Sequence, residues 1–156
     1  MKNKLIRFLG DYGLYLAWIV SIVATVGSLY LSEVLMYVPC KLCWYQRIMM
    51  YPLVLILGIA SFRHDLRVSR YVLPMAIFGG SISLYHYLEQ KIPALQNEII
   101  CRGGVPCSID YLNWFNGVVT IPFLALIAFI LITLILFCVR GELGGAGVSE
   151  ETTETQ

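Results

Sequence analysis

Four apolar stretches, at about 12–31, 43–62, 71–87 and 118–139, alternate with shorter polar segments along the chain. A helix needs about 20 apolar residues to cross a hydrocarbon core of ~30 Å, so each stretch reads as one membrane span. In the first, Ala17, Ser21, Ala24 and Ser28 recur at helical spacing and make a seam of small residues that a neighbouring helix can approach closely. The second contains Pro52, which removes a backbone donor and predicts a kink. The third carries Pro74, Gly79, Gly80, Ser81 and Ser83, again suited to close packing, with His86 near its far end. The fourth is the most apolar and has Pro122 in its first turn. The pattern predicts an all-α chain: an antiparallel four-helix transmembrane bundle over residues 1–140. The acidic tail, 141–156, has little that could pack and reads as disordered.

Composition sharpens this picture. Of 156 residues, 58% are hydrophobic and only 13% charged, too little charge to cover a soluble domain of this length. A net charge of +1 without a basic patch gives no sign of nucleic-acid binding. A basic start before an apolar run also fits a signal peptide. The run is too long for a typical signal core and no clear small-x-small cleavage site follows, which favours a retained span. Lys2, Lys4, Arg7, Arg63, Arg67, Arg70 and Arg140 fall on one side of the predicted bundle, against Lys41, Arg47, Lys91 and Arg102 on the other. The positive-inside rule then puts both termini in the cytoplasm of a multi-pass cell-membrane protein. Both close cysteine pairs face the extracytoplasmic side, where disulfides persist. Cys138, alone in an apolar run at the cytoplasmic end, reads as a small packing residue.

The chemistry begins at Cys40 and Cys43. If the second helix starts there, Cys40, Cys43 and Arg47 fall at i, i+3 and i+7 on one face. The positive end of the helix dipole and the Arg47 cation both favour a thiolate, the form that attacks disulfides. Covalent haem would want His after the second cysteine, and Trp44 stands there. A four-cysteine zinc site is disfavoured because five residues separate Cys101 from Cys107, so no metal ligand set is expected. A purely structural disulfide remains an alternative for the first pair. For the second, the alternatives are a pinned hairpin and an exposed, exchangeable disulfide whose loop is eased by Gly103 and Gly104. Arg47 is either a snorkelling interface residue or a support for negative charge on a quinone. His86 is either an interface histidine or a partner for a quinone carbonyl. Glu33 is a candidate partner for Lys41 or Arg47. Tyr30, Tyr37, Trp44, Tyr45, Tyr111 and Trp114 read as an interfacial belt, with quinone stacking by Trp44 the lesser alternative.

Four spans, the run Pro-Cys-Lys-Leu-Cys-Trp-Tyr-Gln-Arg at 39–47, and a second cysteine pair after the third span resemble the DsbB family of membrane thiol-disulfide oxidoreductases. The resemblance covers nearly the whole chain to about residue 140. The short second pair, Cys-Arg-Gly-Gly-Val-Pro-Cys at 101–107, is similar to the Bacillus-type branch of that family. In the best-known members that pair is far apart in sequence and its loop carries an interfacial helix. The vitamin K epoxide reductases, of related fold, carry the quinone-side Cys-x-x-Cys late in the chain, and its early position here argues against them.

The resemblance implies an enzyme that reoxidises an extracytoplasmic thioredoxin-fold thiol-disulfide oxidase and passes the electrons to a membrane quinone, ubiquinone or menaquinone. Disulfide formation in exported proteins is the outcome. It also implies two redox-active disulfides, Cys40–Cys43 and Cys101–Cys107. Cys43 would make the thiolate–quinone contact, Arg47 would support the quinone, and His86, in Tyr-His-Tyr-Leu-Glu, would lie near its ring. Cys101 would take the mixed disulfide with the partner, and Cys107 would shuttle toward Cys40. Two rivals are a carrier of reducing equivalents outward, which would want cytoplasmic cysteines where Cys138 is alone, and a four-span scaffold with structural extracytoplasmic disulfides.

Overall fold

A computed structural model describes the backbone of residues 2–92, 106–107 and 119–151, and the side chains within 12–92, 106–107 and 119–141. Cys101, Tyr111 and Trp114 lie outside the described residues. The described residues form four long helices, α1 (Lys2–Glu33), α2 (Lys41–Arg63), α3 (Ser69–Lys91) and α4 (Ile121–Glu151), with a 3₁₀ turn at Leu66–Val68. Cys40 caps α2: its backbone is extended, and its sulfur accepts from the Cys43 N–H at 3.4 Å. At the other end His64 adopts the left-handed conformation, φ 51°, and its N–H closes on the Ser61 carbonyl. The Asp65 side chain then accepts from the Arg67 N–H at 3.0 Å, and the chain reverses into α3 within a few residues. Helices α2 and α3 continue through Pro52 and Pro74.

Each helix packs on two neighbours, in the ring α1–α2–α3–α4. Side-chain contacts fix the directions. Trp18 midway along α1 meets Phe62 at the end of α2, Ser28 near the end of α1 meets Arg47 early in α2, and Tyr87 late in α3 meets Phe123 early in α4. A Cβ on Gly13 would collide with Val139, so the start of α1 lies against the end of α4. The bundle is therefore antiparallel throughout. Its core is Leu14, Ala17, Met50, Leu53, Leu57, Val72, Ala76, Phe129, Ile132 and Leu136 with their neighbours. Small residues let the helices close: Gly79 presents bare backbone to the Phe129 ring, and Gly58 to the Trp18 indole.

The outside is apolar and the inside holds polar groups, the reverse of a water-soluble bundle. Leu55, Phe62 and Phe137 are about two-thirds exposed, whereas Ser21, Gln46, Ser83, His86 and Glu89 are buried. Three segments, Tyr12–Glu33, Lys41–Arg63 and Ile121–Gly141, are long and apolar enough to cross a membrane. The expected fourth span differs. At 23 residues α3 has the length, but Ser83, His86, Glu89 and Gln90 lower its apolarity. Three of those four are buried, turned into the bundle. The fold is thus an all-helical bundle with three strongly apolar spans and a fourth helix whose polar groups face inward. Helix α4 runs on to Glu151, ten residues past the apolar segment that ends at Gly141.

Candidate functional site

At one end of the bundle the start of α2, the end of α3 and Cys107 meet. Cys40, Leu42 and Cys107 form a small buried cluster, flanked by Cys43, Ile82 and Tyr85. The Cys40 and Cys43 sulfurs lie 3.1 Å apart, and both residues are free thiols. Cys107 is disulfide-bonded. His86 reaches in from α3, with Nε2 3.6 Å from the Cys40 sulfur and 3.3 Å from the Cys107 carbonyl oxygen. Gln46, one turn into α2, holds the other ring nitrogen, Nδ1, at 3.3 Å. Gln90 donates to the same Cys107 carbonyl at 3.3 Å. A buried imidazole is thereby fixed between the cysteine pair and the second-pair segment.

This setting acidifies Cys40. Its thiol is held well below the ordinary value of 9.0, at about 4. The chief cause is the Cys43 side chain hydrogen-bonded to its sulfur; burial opposes this, and His86 and the Cys43 backbone N–H add to it. In the reduced pair the charge therefore rests on Cys40.

Arg47 sits one helical turn beyond Cys43. Its Nε donates to Ser28 Oγ at 2.9 Å and its Nη2 to the Ser28 carbonyl at 3.0 Å, and the guanidinium lies 5.8 Å from the Trp44 ring centroid. Of the two candidate partners for Glu33, Lys41 and Arg47, the second is held by this clamp onto α1. Glu33 instead receives a hydrogen bond from Ser32. Beside these groups is a cavity of about 490 Å³. Cys40, Cys43, Gln46, Arg47, His86 and Gln90 line its polar end, and Val20, Ala24, Met50, Ala128 and Phe129 its apolar part. Ile19, Val23, Leu124 and Leu131 line the cavity and are also exposed on the outer surface, so it opens outward between α1 and α4. Trp44 is exposed and outside the lining, as a belt residue would be.

Four of the six expected site residues, Cys40, Cys43, Cys107 and His86, come together within this end, and Arg47 lies on the same cavity. Sequence reading missed Gln90, Glu89 and Ser28 as parts of it. The signal was available in spacing: Glu89 and Gln90 follow His86 by three and four residues, on its helix face, and Ser28 belongs to the small-residue seam. Glu89 is buried, and among the described residues its Oε2 has no hydrogen-bond partner.

A close dithiol, an acidified cysteine and a neighbouring disulfide in a membrane bundle define a membrane thiol-disulfide oxidoreductase. The comparisons agree. The family model for disulfide bond formation protein DsbB matches residues 11–139, and the chain belongs to that family. It is 57% identical over 142 residues to disulfide bond formation protein C of Bacillus subtilis (strain 168), covering 91% of this chain and 98% of that one. A probable disulfide formation protein C of Halalkalibacterium halodurans is 53% identical, over 74% of this chain and 84% of its own. A probable disulfide formation protein of Coxiella burnetii (strain CbuK_Q154) is 43% identical, over 83% and 88%. No solved structure matches.

Proposed function

We propose that this chain takes electrons from the dithiol of an extracytoplasmic thioredoxin-fold oxidase and delivers them to a quinone held beside Cys40 and Cys43. One observation carries the reading: a cysteine pair, a histidine and an arginine converge at one end of an apolar cavity that opens outward between two membrane-spanning helices. Its volume, about 490 Å³, is in the range of small-molecule sites. Its polar end suits a ring with two carbonyl oxygens, and its apolar opening suits an isoprenoid tail. A bound quinone supplies an acceptor for two electrons and two protons.

The chain's own residues do the rest. A thiolate of the partner attacks the disulfide that contains Cys107 and forms a mixed disulfide; the partner's second thiol resolves it, leaving the partner oxidised and the second pair reduced. That pair then exchanges with a Cys40–Cys43 disulfide, which is reduced in turn. The packing of Cys107 against Cys40 supports this relay. Cys40 carries the resting thiolate on the side of Cys107 and His86. Cys43, half-buried on the cavity beside Arg47, suits the hand-over to the acceptor. Arg47, oriented by Ser28, offers charge-assisted hydrogen bonds to a developing negative oxygen. His86 can hold or pass a proton. The distribution of basic residues supports a cytoplasmic position for both termini and an outer position for the cysteine end.

The test is quinone reduction by the purified protein, with a reduced thioredoxin-fold dithiol as donor and Cys43→Ser in parallel. Turnover in the parent and none in the folded variant is expected. A folded parent that oxidises no such dithiol with either a benzoquinone or a naphthoquinone would favour the stapled scaffold.

A further inference from the structure

Cys40 Sγ, Cys43 Sγ and a ring nitrogen of His86 all lie within 4.8 Å of one another. A tetrahedral zinc ion, with Zn–S ~2.3 Å and Zn–N ~2.0 Å, spaces such ligand atoms by roughly 3.6–3.8 Å. The Cys40–His86 separation is already 3.6 Å, and the sulfurs, at 3.1 Å, need only move apart by a fraction of an ångström. The Gln46 amide nitrogen lies 3.3 Å from Nδ1; turning that amide over puts its oxygen on an Nδ1–H and leaves Nε2 bare toward the sulfurs, the arrangement outer partners give ligating histidines. Two thiolates and a divalent cation sum to zero charge, which lowers the cost of holding the ion inside a membrane bundle. Cysteine and imidazole donors select thiophilic cations over magnesium or calcium.

We propose that the reduced Cys40–Cys43 pair and His86 form a binding site for one thiophilic d¹⁰ cation, of the zinc(II), cadmium(II) or copper(I) class. Three protein ligands leave a fourth position open to the cavity. Binding displaces the remaining thiol protons and changes no oxidation state. The oxidised pair has no thiolate to offer, so the site exists only in the reduced protein, and a bound cation holds the pair reduced. Metal binding and dithiol oxidation thus exclude one another, an inhibitory device whose effect on turnover rests on the oxidase reading above. The four-cysteine zinc site weighed from the sequence is a different arrangement: the third ligand here is a histidine from another helix.

The experiment uses cadmium chloride and the full chain in detergent with Cys101→Ser, Cys107→Ser and Cys138→Ser, so that only one dithiol remains. After reduction and removal of reductant under nitrogen, sulfur-to-cadmium charge-transfer absorption is expected to saturate at one ion per chain. Oxidising Cys40 to Cys43 should abolish it, and excess magnesium should not compete. His86→Gln should weaken binding by at least roughly 10- to 100-fold, the scale on which even an outer partner of a metal ligand acts. X-ray absorption on the unsubstituted histidine form covers the case in which that variant misfolds: two sulfurs and at least one nitrogen are expected around the ion. Equal binding to the oxidised pair, an all-sulfur shell, or no loss in a folded His86→Gln variant would overturn the site. Turnover is measured on metal-free wild-type protein. Turnover without cadmium binding sinks the site and leaves the oxidase. Cadmium binding without turnover sinks the oxidase and leaves the site.

Discussion

The two ends of the bundle are built from the same helices and to opposite purposes. At the end where α1 begins, Gly13 meets Val139, Trp18 covers Gly58, and Leu57, Ala60 and Val72 are almost fully buried. At the cysteine end the cavity opens between α1 and α4, and the buried polar groups include Gln46, His86 and Glu89. The small-residue seam of α1 shows the change along one face. Ala17 and Ser21 are fully buried, while Ala24 and Ser28 line the cavity. One end has spent its packing on rigidity and the other has left room for chemistry. A packed base holds α2 and α3 in register, which keeps Cys40, Cys43 and His86 in place at the other end.

The largest effect belongs to the cysteine end. Cys40→Ser removes the acidified sulfur and should lower dithiol oxidation by ~10³-fold or more while the helical signal and melting behaviour stay near those of the parent. A variant that lost activity only in step with its fold would put both ends in the same structural class and break the comparison.

Next is pH. The Cys40 value in the folded, reduced protein, about 4, lies below the ordinary 9.0. The folded state therefore holds fewer protons on this group than the unfolded chain between those values. Its stabilisation of the reduced form is complete above the unfolded value and is lost as pH falls through about 4. In metal-free protein, alkylation of Cys40 should stay on its plateau at pH 6, where an ordinary thiol has lost roughly 10³-fold of its thiolate. A profile that falls below pH 9 would mean that His86 and Cys43 do not act on Cys40 as their geometry requires.

Much of this was legible in the chain. The Cys40–Cys43–Arg47 spacing announced a helix start carrying chemistry, and the structure caps α2 with Cys40 itself. The small residues of α1 announced close packing. What the sequence obscured was the role of α3. Its Ser83, His86, Glu89 and Gln90 weaken its apolar pattern, yet Ser83 bonds back to the Gly79 carbonyl of its own helix, and His86 and Gln90 meet the start of α2 and Cys107. A hydropathy window weighs each residue alone, whereas the cost of burying a polar group depends on what it meets. The Ser28–Arg47 clamp was hidden for the same reason. A charge at a span end pairs with whatever the fold brings near, and here that was a hydroxyl and a carbonyl rather than Glu33.

A smaller, structural effect should mark the packed end. Leu57 is fully buried in the core and lies away from the cavity, and Leu57→Ala should destabilise the bundle by on the order of 3 kcal/mol in a detergent unfolding assay. Val23, exposed on the outer face and lining the cavity, should tolerate alanine at below about 0.5 kcal/mol. Similar losses at the two sites would show that the cavity is no looser than the core.

The finest test deletes the same atom twice on one face of α1. Ser21 and Ser28 are two helical turns apart. The Ser21 hydroxyl donates at 2.7 Å to the Trp18 carbonyl of its own helix, a contact that ties it to no neighbour. The Ser28 hydroxyl accepts from Arg47 Nε and so links α1 to the residue that faces the cavity. Ser21→Ala should leave both melting temperature and kinetics nearly unchanged. Ser28→Ala removes one of two bonds to the guanidinium, while the Ser28 carbonyl still holds Nη2. A hydrogen bond to a charged group is worth ~1.5 kcal/mol, so under the proposed function loosened positioning of Arg47 should raise KM for a quinone acceptor by roughly 5- to 10-fold, with stability almost intact. Arg47→Lys should mimic that change, because a lysine cannot make the two-pronged contact. If Ser21→Ala and Ser28→Ala behaved alike, the seam would be one packing surface from end to end, and Arg47 would owe its place to the lipid interface rather than to α1.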